Sequence, residues 1–252
     1  MPSVMLRFYE ELNDFLPTGK RRRDFALACR PESSVKSVIE DLGVPHTEVD
    51  LLLVNGRSVG FDERLQDGDR VSVYPRFESF DIGPTSKVRP EPLRQTRFAL
   101  DVHLGKLARL LRMFGFDSSY RAPLEDGELV RQALKEQRIV LSRDRGLLKR
   151  RAVTHGYLVR SEIPRVQAVA IIGRFDLSRR ISLFSRCMSC NAPLQNVEKS
   201  VVRTMLPAFV SDNHEQFSRC PGCAKLYWQG THWEHMKRLA DDVIEAASSS
   251  GA

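Results

Sequence analysis

The sequence predicts a chain of three folded parts: an N-terminal α+β domain, an α/β domain with a parallel sheet, and a C-terminal four-cysteine module. Residues 1–78 predict the first part, because alternating strands accompany one helix and an Asn-Gly hairpin. Residues 97–180 alternate strands with helices, and residues 181–240 hold two CxxC pairs. The segment 79–96, with Pro84, Pro90 and Pro92, is predicted to be a linker, and residues 241–252 a tail that begins helical.

Basic residues outnumber acidic ones. The 252 residues include 39 Lys and Arg against 32 Asp and Glu, which gives a net charge of +7 and a pI of about 9.3. Residues 131–165 alone carry ten basic and three acidic side chains. This surplus indicates an anionic partner, with a solvated helix face as the alternative. No apolar run of 18 residues and no secretory leader is visible, so a cytoplasmic protein without a membrane span is expected.

Five short motifs define the N-terminal domain. "VMLRFYEEL" opens with an alternating strand, "DFALAC" predicts a second strand, and "SSVKSVIEDLG" predicts a helix that Ser33 or Ser34 caps and Gly43 ends. "VDLLLVNGRSVG" predicts a hairpin turning at Asn55-Gly56, and "DGDRVSVYP" predicts a closing strand. Together these motifs resemble the ubiquitin-like β-grasp fold of the sulfur-carrier type. Sulfur carriers act through a C-terminal Gly-Gly tail, and "YPRFESFDIGPTS" stands in its place here, so a docking or scaffold role is expected.

A short strand and a helix open the central domain. The strand "FAL" stops at Asp101, and the helix that follows has apolar residues at helical spacing: Leu104, Leu107, Ala108 and Leu111. Lys106, Arg109 and Arg112 recur every three residues on another side of this helix. Such a ridge suits phosphate groups, and ordinary solvated charge is the alternative that the spacing leaves open.

Two aspartates follow predicted parallel strands. Asp101 ends the first strand, and "RIVLSRD" delivers a later strand to Asp144, which stands between Arg143 and Arg145. Functional residues of open parallel sheets gather at the carboxyl ends of the strands. Asp126 begins the helix before the later strand, where it is either a third acid of the site or an N-cap.

A cluster of these three carboxylates would need a cation. At separations of about 5 Å, each pair would repel by roughly 3 kcal/mol at an effective dielectric near 20. Oxygen-only ligands favour Mg²⁺ or Mn²⁺. Metal ions held there would activate water and stabilise the transition state of phosphodiester cleavage.

The central and C-terminal segments resemble a known family. "DVHLGKLARLLRMFGFDSSY", "EDGELVRQALKEQRIVLSRDRGLL" and "RCMSCNAPL … CPGCAKLYWQGTHW" are similar to the Mut-seven C-terminal RNase family, in which a PIN-like domain carries a zinc ribbon and often follows a ubiquitin-like domain. The resemblance implies metal-dependent RNA cleavage with Asp101, Asp126 and Asp144 as catalytic residues. PIN sites usually hold a fourth acid, for which the candidates are Asp117, Glu125 and Glu128. The expected RNA-binding cations are Lys106, Arg109, Arg112, Arg143 and Arg145.

The two CxxC pairs, Cys187 with Cys190 and Cys220 with Cys223, predict a structural zinc site. Each pair supplies two thiolates from a tight turn, and two such turns complete a tetrahedron with no open position. The 29 residues between the pairs exceed the usual spacing, so an enlarged connection is expected. Disulfides are the alternative, which a reducing compartment disfavours. Cys29 stands apart and is predicted to be a small core residue.

Two further questions stay open from the sequence. Aromatic residues after the second pair, in "KLYWQGTHWEHMKR", either stack on unpaired bases or pack the module; packing is favoured for Trp228, and the two are even for His232 and Trp233. RNA is the expected partner, with structured RNA such as tRNA as a candidate substrate. A non-catalytic RNA-binding protein and a protein-interaction module acting through the β-grasp domain are the alternative functions.

Overall fold

The computed structural model describes residues 1–75, 85–88, 93 and 95–249. The chain divides into two compact units, Met1–Gln95 with Glu125–Val159 and Thr96–Leu124 with Arg160–Ala252. Residues of the predicted central domain occur in both units. Most of the predicted linker at 79–96 and the end of the predicted tail, 250–252, lie outside the described residues. Among the described helices, none has the length and apolar character needed to span a membrane.

The N-terminal domain contains a mixed five-stranded sheet and one α-helix. Its elements are β1 (Ser3–Phe8), β2 (Phe25–Ala28), α1 (Val35–Asp41), β3 (Val49–Val54), β4 (Arg57–Ser58) and β5 (Arg70–Pro75). The strand order is β2-β1-β5-β3-β4, in which β1 and β5 are parallel and the other pairs are antiparallel. This arrangement confirms the predicted β-grasp fold.

Local sequence explains these elements. Val4, Leu6 and Phe8 are buried on alternate positions of β1, as a half-buried strand requires. The Asn55-Gly56 turn has φ of +52° and +79°, the left-handed conformation that a two-residue hairpin needs. Ser34 caps α1 by accepting a hydrogen bond from the backbone N–H of Ser37 at 3.2 Å, which decides between the two predicted caps.

Parallel strand pairs occur in both compact units and confirm the predicted α/β pattern. In one unit, β6 (Phe98–Leu100) pairs with β7 (Ser118–Ser119), and α2 (Gly105–Met113) connects them. In the other unit, α3 (Asp126–Glu136) precedes β8 (Ile139–Ser142). Strand β8 pairs with β9 (Gly156–Leu158), and α4 (Arg145–Leu148) lies in the connection between them. In each pair, the helical connection brings the chain back so that the two strands run in the same direction. A helical turn follows directly after both β6 and β8.

The cysteine module has a three-stranded antiparallel sheet, and helix α5 (Pro164–Arg174) precedes it along the chain. The elements of the module are β10 (Gln195–Val197), α6 (Lys199–Val202), α7 (Ala208–Asn213), β11 (Phe217–Arg219), β12 (Leu226–Trp228) and the start of α8 (Thr231–Ser249). The short helices α6 and α7 lie between β10 and β11 and account for the long interval between the cysteine pairs. Helix α8 buries Ala240 and Val243 and packs on α5, so the predicted tail begins as part of this helix.

The edge of β9 is covered by the N-terminal domain, within one compact unit. A short 3-10 turn, His46–Glu48, lies beside β9. The Glu48 carboxylate accepts a hydrogen bond from the backbone N–H of Leu158 at 2.7 Å, and Glu48 is only 2% exposed. His46 Nε2 lies 2.8 Å from the carbonyl oxygen of Val153. The Glu48 carboxylate thus provides an acceptor for the buried N–H of Leu158, which the sheet leaves unpaired.

Replacing Glu48 with alanine is expected to destabilise this unit by about 1–3 kcal/mol, because the N–H of Leu158 would be buried without an acceptor. Urea unfolding of the full-length chain measures the change in the free energy of unfolding. Glu63→Ala is the matched control, since its carboxylate forms a surface ion pair with Arg57 at 2.7 Å and should contribute at most about 1 kcal/mol. Equal effects of the two substitutions would show that Glu48 does not support β9.

Candidate functional site

The first cysteine pair forms a tight turn. The N–H of Cys187 donates to the carbonyl of Ala192 at 2.8 Å, and the N–H of Asn191 donates back to the carbonyl of Cys187 at 2.9 Å. Asn191 has φ of +73°, a left-handed conformation that asparagine tolerates well. The N–H of Cys190 lies 3.5 Å from the Cys187 Sγ. Both sulfur atoms therefore emerge on the inner side of one turn.

The second pair repeats this turn. Cys220 N–H donates to Lys225 and Ala224 N–H donates to Cys220, both at 2.9 Å, and Ala224 has φ of +59°. The N–H of Cys223 lies 3.4 Å from the Cys220 Sγ. A Cβ at Gly222 would lie 3.4 Å from the Cys190 Sγ, so the glycine lets the two turns approach closely.

The two turns bring all four sulfur atoms together. Ligand atoms of Cys187, Cys190, Cys220 and Cys223 lie within 4.8 Å of one another, with 3.5 Å between Cys187 and Cys223 and 3.2 Å between Cys190 and Cys220. A tetrahedral zinc with Zn–S bonds near 2.3 Å needs sulfur separations of about 3.8 Å. All five cysteines of the chain are free thiols. This cluster could bind zinc, and it is compatible with the predicted zinc ribbon.

Hydrogen bonds prepare one thiol for ionisation. Burial alone would raise the pKa of Cys187, but the Tyr227 hydroxyl, 3.1 Å away, and backbone N–H groups lower it to about 6. At Cys190 a backbone hydrogen bond favours the thiolate, yet burial and the neighbouring sulfurs raise the pKa to about 12. Because the four thiols must be deprotonated to bind a metal, metal binding at this cluster would release protons.

Arg112 lies beneath the first cysteine turn rather than on the surface. It is 3% exposed, and its guanidinium donates to the carbonyls of Ser118, Met188 and Ser189 at 2.9, 3.1 and 2.9 Å. Burial lowers its pKa, while the nearby Cys187 and Cys190 sulfurs favour the charged form. The prediction that Arg112 contacts RNA phosphates is corrected by this burial. Helical periodicity contained the signal, because Arg112 follows the buried Ala108 by four residues and so lies on the apolar side of α2.

Asp117, a candidate fourth acid, belongs to the same structural network. Its carboxylate accepts from Asn191 Nδ2 at 2.8 Å and lies 3.7 Å from Arg186 and 3.9 Å from Arg97. Asn191 Oδ1 in turn accepts from the backbone N–H of Ser118 at 2.9 Å. Asp117 therefore joins the end of α2 to the first cysteine turn.

Asp101 and Asp144 occupy equivalent local positions. Asp101 follows β6 and accepts the backbone N–H of His103 at 2.7 Å; Asp144 follows β8 and accepts that of Gly146, also at 2.7 Å. Each carboxylate uses its Oδ1 to cap the turn after a parallel strand. Asp101 is buried and Asp144 is exposed.

Asp126 is not the N-cap of α3. Glu125 holds the N-cap position, and neither residue caps the helix through its side chain. The Asp126 carboxylate is about half exposed and accepts from Arg150 Nη2 at 3.1 Å. Asp101 belongs to one compact unit and Asp126 and Asp144 to the other, so their convergence on one metal stays a prediction.

The remaining predicted RNA-binding cations are exposed. Lys106 and Arg109 lie on the outer side of α2, and Arg143 follows β8. The Arg145 guanidinium carbon lies 5.2 Å from the centre of the Phe15 ring, a cation–π contact with the N-terminal domain.

Lys149, directly after α4, also contacts the N-terminal domain, because its Nζ donates a hydrogen bond to the carbonyl of Glu40. Local sequence patterns could not reveal either contact, or that of Glu48, because more than 100 residues separate the partners.

Comparisons with known families cover most of the chain. The family model of the Mut7-C RNase domain matches residues 96–240, and that of Mut7-C ubiquitin matches residues 1–81. No curated protein matches the sequence.

The chain also matches solved structures over 31% of its length. Small archaeal modifier protein 1 of H. volcanii is 13% identical, covers 31% of this chain and 100% of its own, and has a TM-score of 0.26. A putative molybdopterin converting factor, subunit 1, from Pyrococcus furiosus is 22% identical over 31% of this chain and 100% of its own, with a TM-score of 0.25.

Proposed function

Because this chain belongs to the family of the Mut7-C RNase domain, we propose that it is a metal-dependent ribonuclease that hydrolyses RNA phosphodiester bonds. The single observation that carries this proposal is the family match, which spans both parallel strand pairs and the cysteine module. Structured RNA such as tRNA is the first substrate to test.

The proposed catalytic residues are Asp101, Asp126 and Asp144. Asp101 and Asp144 stand directly after parallel strands, the position where open α/β sheets place functional groups. Each uses Oδ1 for a helix-type cap, a geometry that fixes the carboxylate direction. Such oxygen donors fit Mg²⁺ or Mn²⁺.

A divalent ion held by these aspartates would supply an activated water and neutralise charge on the scissile phosphate. The chain itself would position the RNA. Lys106, Arg109 and Arg143 are exposed cations suited to backbone phosphates, and Arg145 adds charge from its place beside Phe15. Arg112 has no part in this surface.

The four cysteines are proposed to hold a structural zinc ion. Four thiolates leave no open coordination position, so this metal would stabilise the fold and take no part in hydrolysis. Such a site needs reduced cysteines, which fits the predicted cytoplasmic location. The ubiquitin-like domain is proposed to dock on other proteins through surfaces not occupied by its contacts with β9 and α4.

Asp144→Asn tests the proposal. Asparagine also caps helices, so the turn after β8 should be kept while the anionic ligand is lost. Cleavage of a tRNA or of total RNA in Mn²⁺ is expected to fall by more than about 100-fold, since even groups one step removed from a metal account for about 10- to 100-fold. Asp62→Asn, at an exposed position, is the matched control and should cleave at the parental rate.

The zinc-loaded protein should be compared with and without added Mn²⁺, since chelators would also strip the cysteine site. Unchanged cleavage by Asp101→Asn and Asp144→Asn would overturn the proposed site. Binding of RNA by the parent without any cleavage in either Mg²⁺ or Mn²⁺ would favour the non-catalytic RNA-binding alternative.

A further inference from the structure

An open cleft lies between the three-stranded sheet and the start of α8. It has a volume of about 640 Å³, within the range of small-molecule sites, and its aromatic and apolar lining includes Phe184, Phe217, Tyr227, Trp228, Trp233 and Met236. None of the functions proposed above uses this cleft.

Both tryptophans of the chain line the cleft and keep part of their surface exposed. Trp228 lies on β12 opposite Phe217 of β11, and Trp233 lies in the first turn of α8 with its ring centre 5.4 Å from that of Phe184. The more distal part of α8, at Ala240 and Val243, supplies the buried packing of this helix. The indoles therefore serve as cleft walls, and they are not sealed into the core.

The polar lining suits a flat ligand that carries hydrogen-bonding edges. Gln216 and Gln229, whose side chains end in amides, line the cleft together with the aromatic residues. An amide presents a donor and an acceptor side by side, which is the pattern that pairs with the edges of nucleobases. Aromatic faces and amide groups together are the usual means of binding an unstacked base of single-stranded RNA.

The charge of the lining favours a nucleobase over a phosphate group as the ligand of the cleft. Glu198 and Glu215 lie in the cleft, and the Glu215 carboxylate is paired with Lys199 at 2.6 Å. The Glu198 carboxylate would repel a phosphate group, whereas the charge of Glu215 is offset by Lys199. Both carboxylates can accept hydrogen bonds from the amino and imino groups of a neutral base.

We propose that this cleft binds an unpaired nucleobase of the RNA on which the protein acts. The inference rests on the proposed ribonuclease function for the identity of its ligand. Stacking on Trp228 and Trp233 together supplies the binding energy, and the amides and carboxylates contact the base edge. The cysteine module would thus present single-stranded RNA to the protein in addition to stabilising the fold.

Tryptophan fluorescence of the full-length, zinc-loaded chain tests this directly, because both fluorophores line the cleft. A single-stranded oligoribonucleotide, added without Mg²⁺ or Mn²⁺, is expected to quench the fluorescence to saturation. An abasic oligonucleotide of the same length and charge is expected to cause little quenching. Equal quenching by the two would overturn the proposal, since phosphates alone would then explain binding.

Trp233→Ala should weaken the base-dependent binding by about 5- to 150-fold, with Trp228 as the remaining reporter. Trp233→Phe keeps an aromatic face and should recover most of the affinity. Phe209→Ala is the matched control, because Phe209 is an exposed aromatic residue of the same module that does not line the cleft. Parental affinity in a zinc-loaded Trp233→Ala chain would overturn the proposal, as would quenching by an apolar peptide but not by RNA.

The test is separable from that of the ribonuclease site. Asp144→Asn leaves the cleft intact and should show the same base-dependent quenching as the parent. If base-dependent quenching is observed but cleavage never is, the base-binding proposal is supported and the catalytic proposal is wrong. If cleavage is observed without base-dependent quenching, only the base-binding proposal is wrong.

Discussion

Replacing Cys220 with serine is expected to abolish zinc binding and to unfold the cysteine module, the largest change in stability that a single substitution should produce here. Cys220 is 1% exposed, and its sulfur lies 3.2 Å from that of Cys190. Structural zinc sites bind with about 10–16 kcal/mol of apparent free energy at neutral pH, which becomes folding free energy when no preformed site exists. The sheet β10–β12 is small and has few buried side chains, so little else would hold it together.

The parent is expected to contain one zinc ion per chain by metal analysis, and a strong chelator should produce the same loss of structure as Cys220→Ser. Cys29→Ser is the matched control, because Cys29 is buried in the N-terminal domain and is not part of the cluster. The Cys29→Ser chain should bind one zinc ion and show the same circular dichroism spectrum as the parent. A Cys220→Ser chain that unfolds with the parental transition would contradict a structural metal.

Replacing Arg112 with methionine is expected to destabilise the zinc-loaded chain by about 3–5 kcal/mol. The substitution leaves the carbonyls of Ser118, Met188 and Ser189 without their charged donor in a buried place. It also removes a positive charge that interacts with the Cys187 and Cys190 sulfurs. Arg112→Lys should recover less than half of the loss, since an ammonium group cannot reproduce a planar fork with three bonds.

Chemical unfolding measures this effect, and Arg109→Met on the same helix is its control. Arg109 is exposed, so its replacement should change stability by less than about 0.5 kcal/mol. Equal stabilities of the two variants would show that Arg112 does not hold the first cysteine turn. Weaker RNA binding in the Arg109 variant alone would agree with a structural role for the buried Arg112 and an RNA-binding role for the exposed Arg109.

Much of the fold could be predicted from local sequence. The Asn55-Gly56 turn, the capping serine before α1 and the apolar side of α2 follow from short-range backbone and periodicity rules, which act within a few residues. The CxxC pairs were equally informative, since a two-residue interval between cysteines suits a single tight turn. The positions of Asp101 and Asp144 after strands were predictable for the same reason.

What the sequence determined by itself was therefore the order of elements, the β-grasp topology and the four-cysteine cluster. Only the tertiary structure decided which partners the buried charged side chains meet. Arg112 follows Lys106 and Arg109 at regular intervals, but successive steps of three residues rotate around a helix by about 60°, and the third cation turns toward the first cysteine turn. Glu48 and Phe15 meet β9 and α4 across long stretches of chain. Such contacts depend on how distant elements pack, and local sequence contains no signal for them.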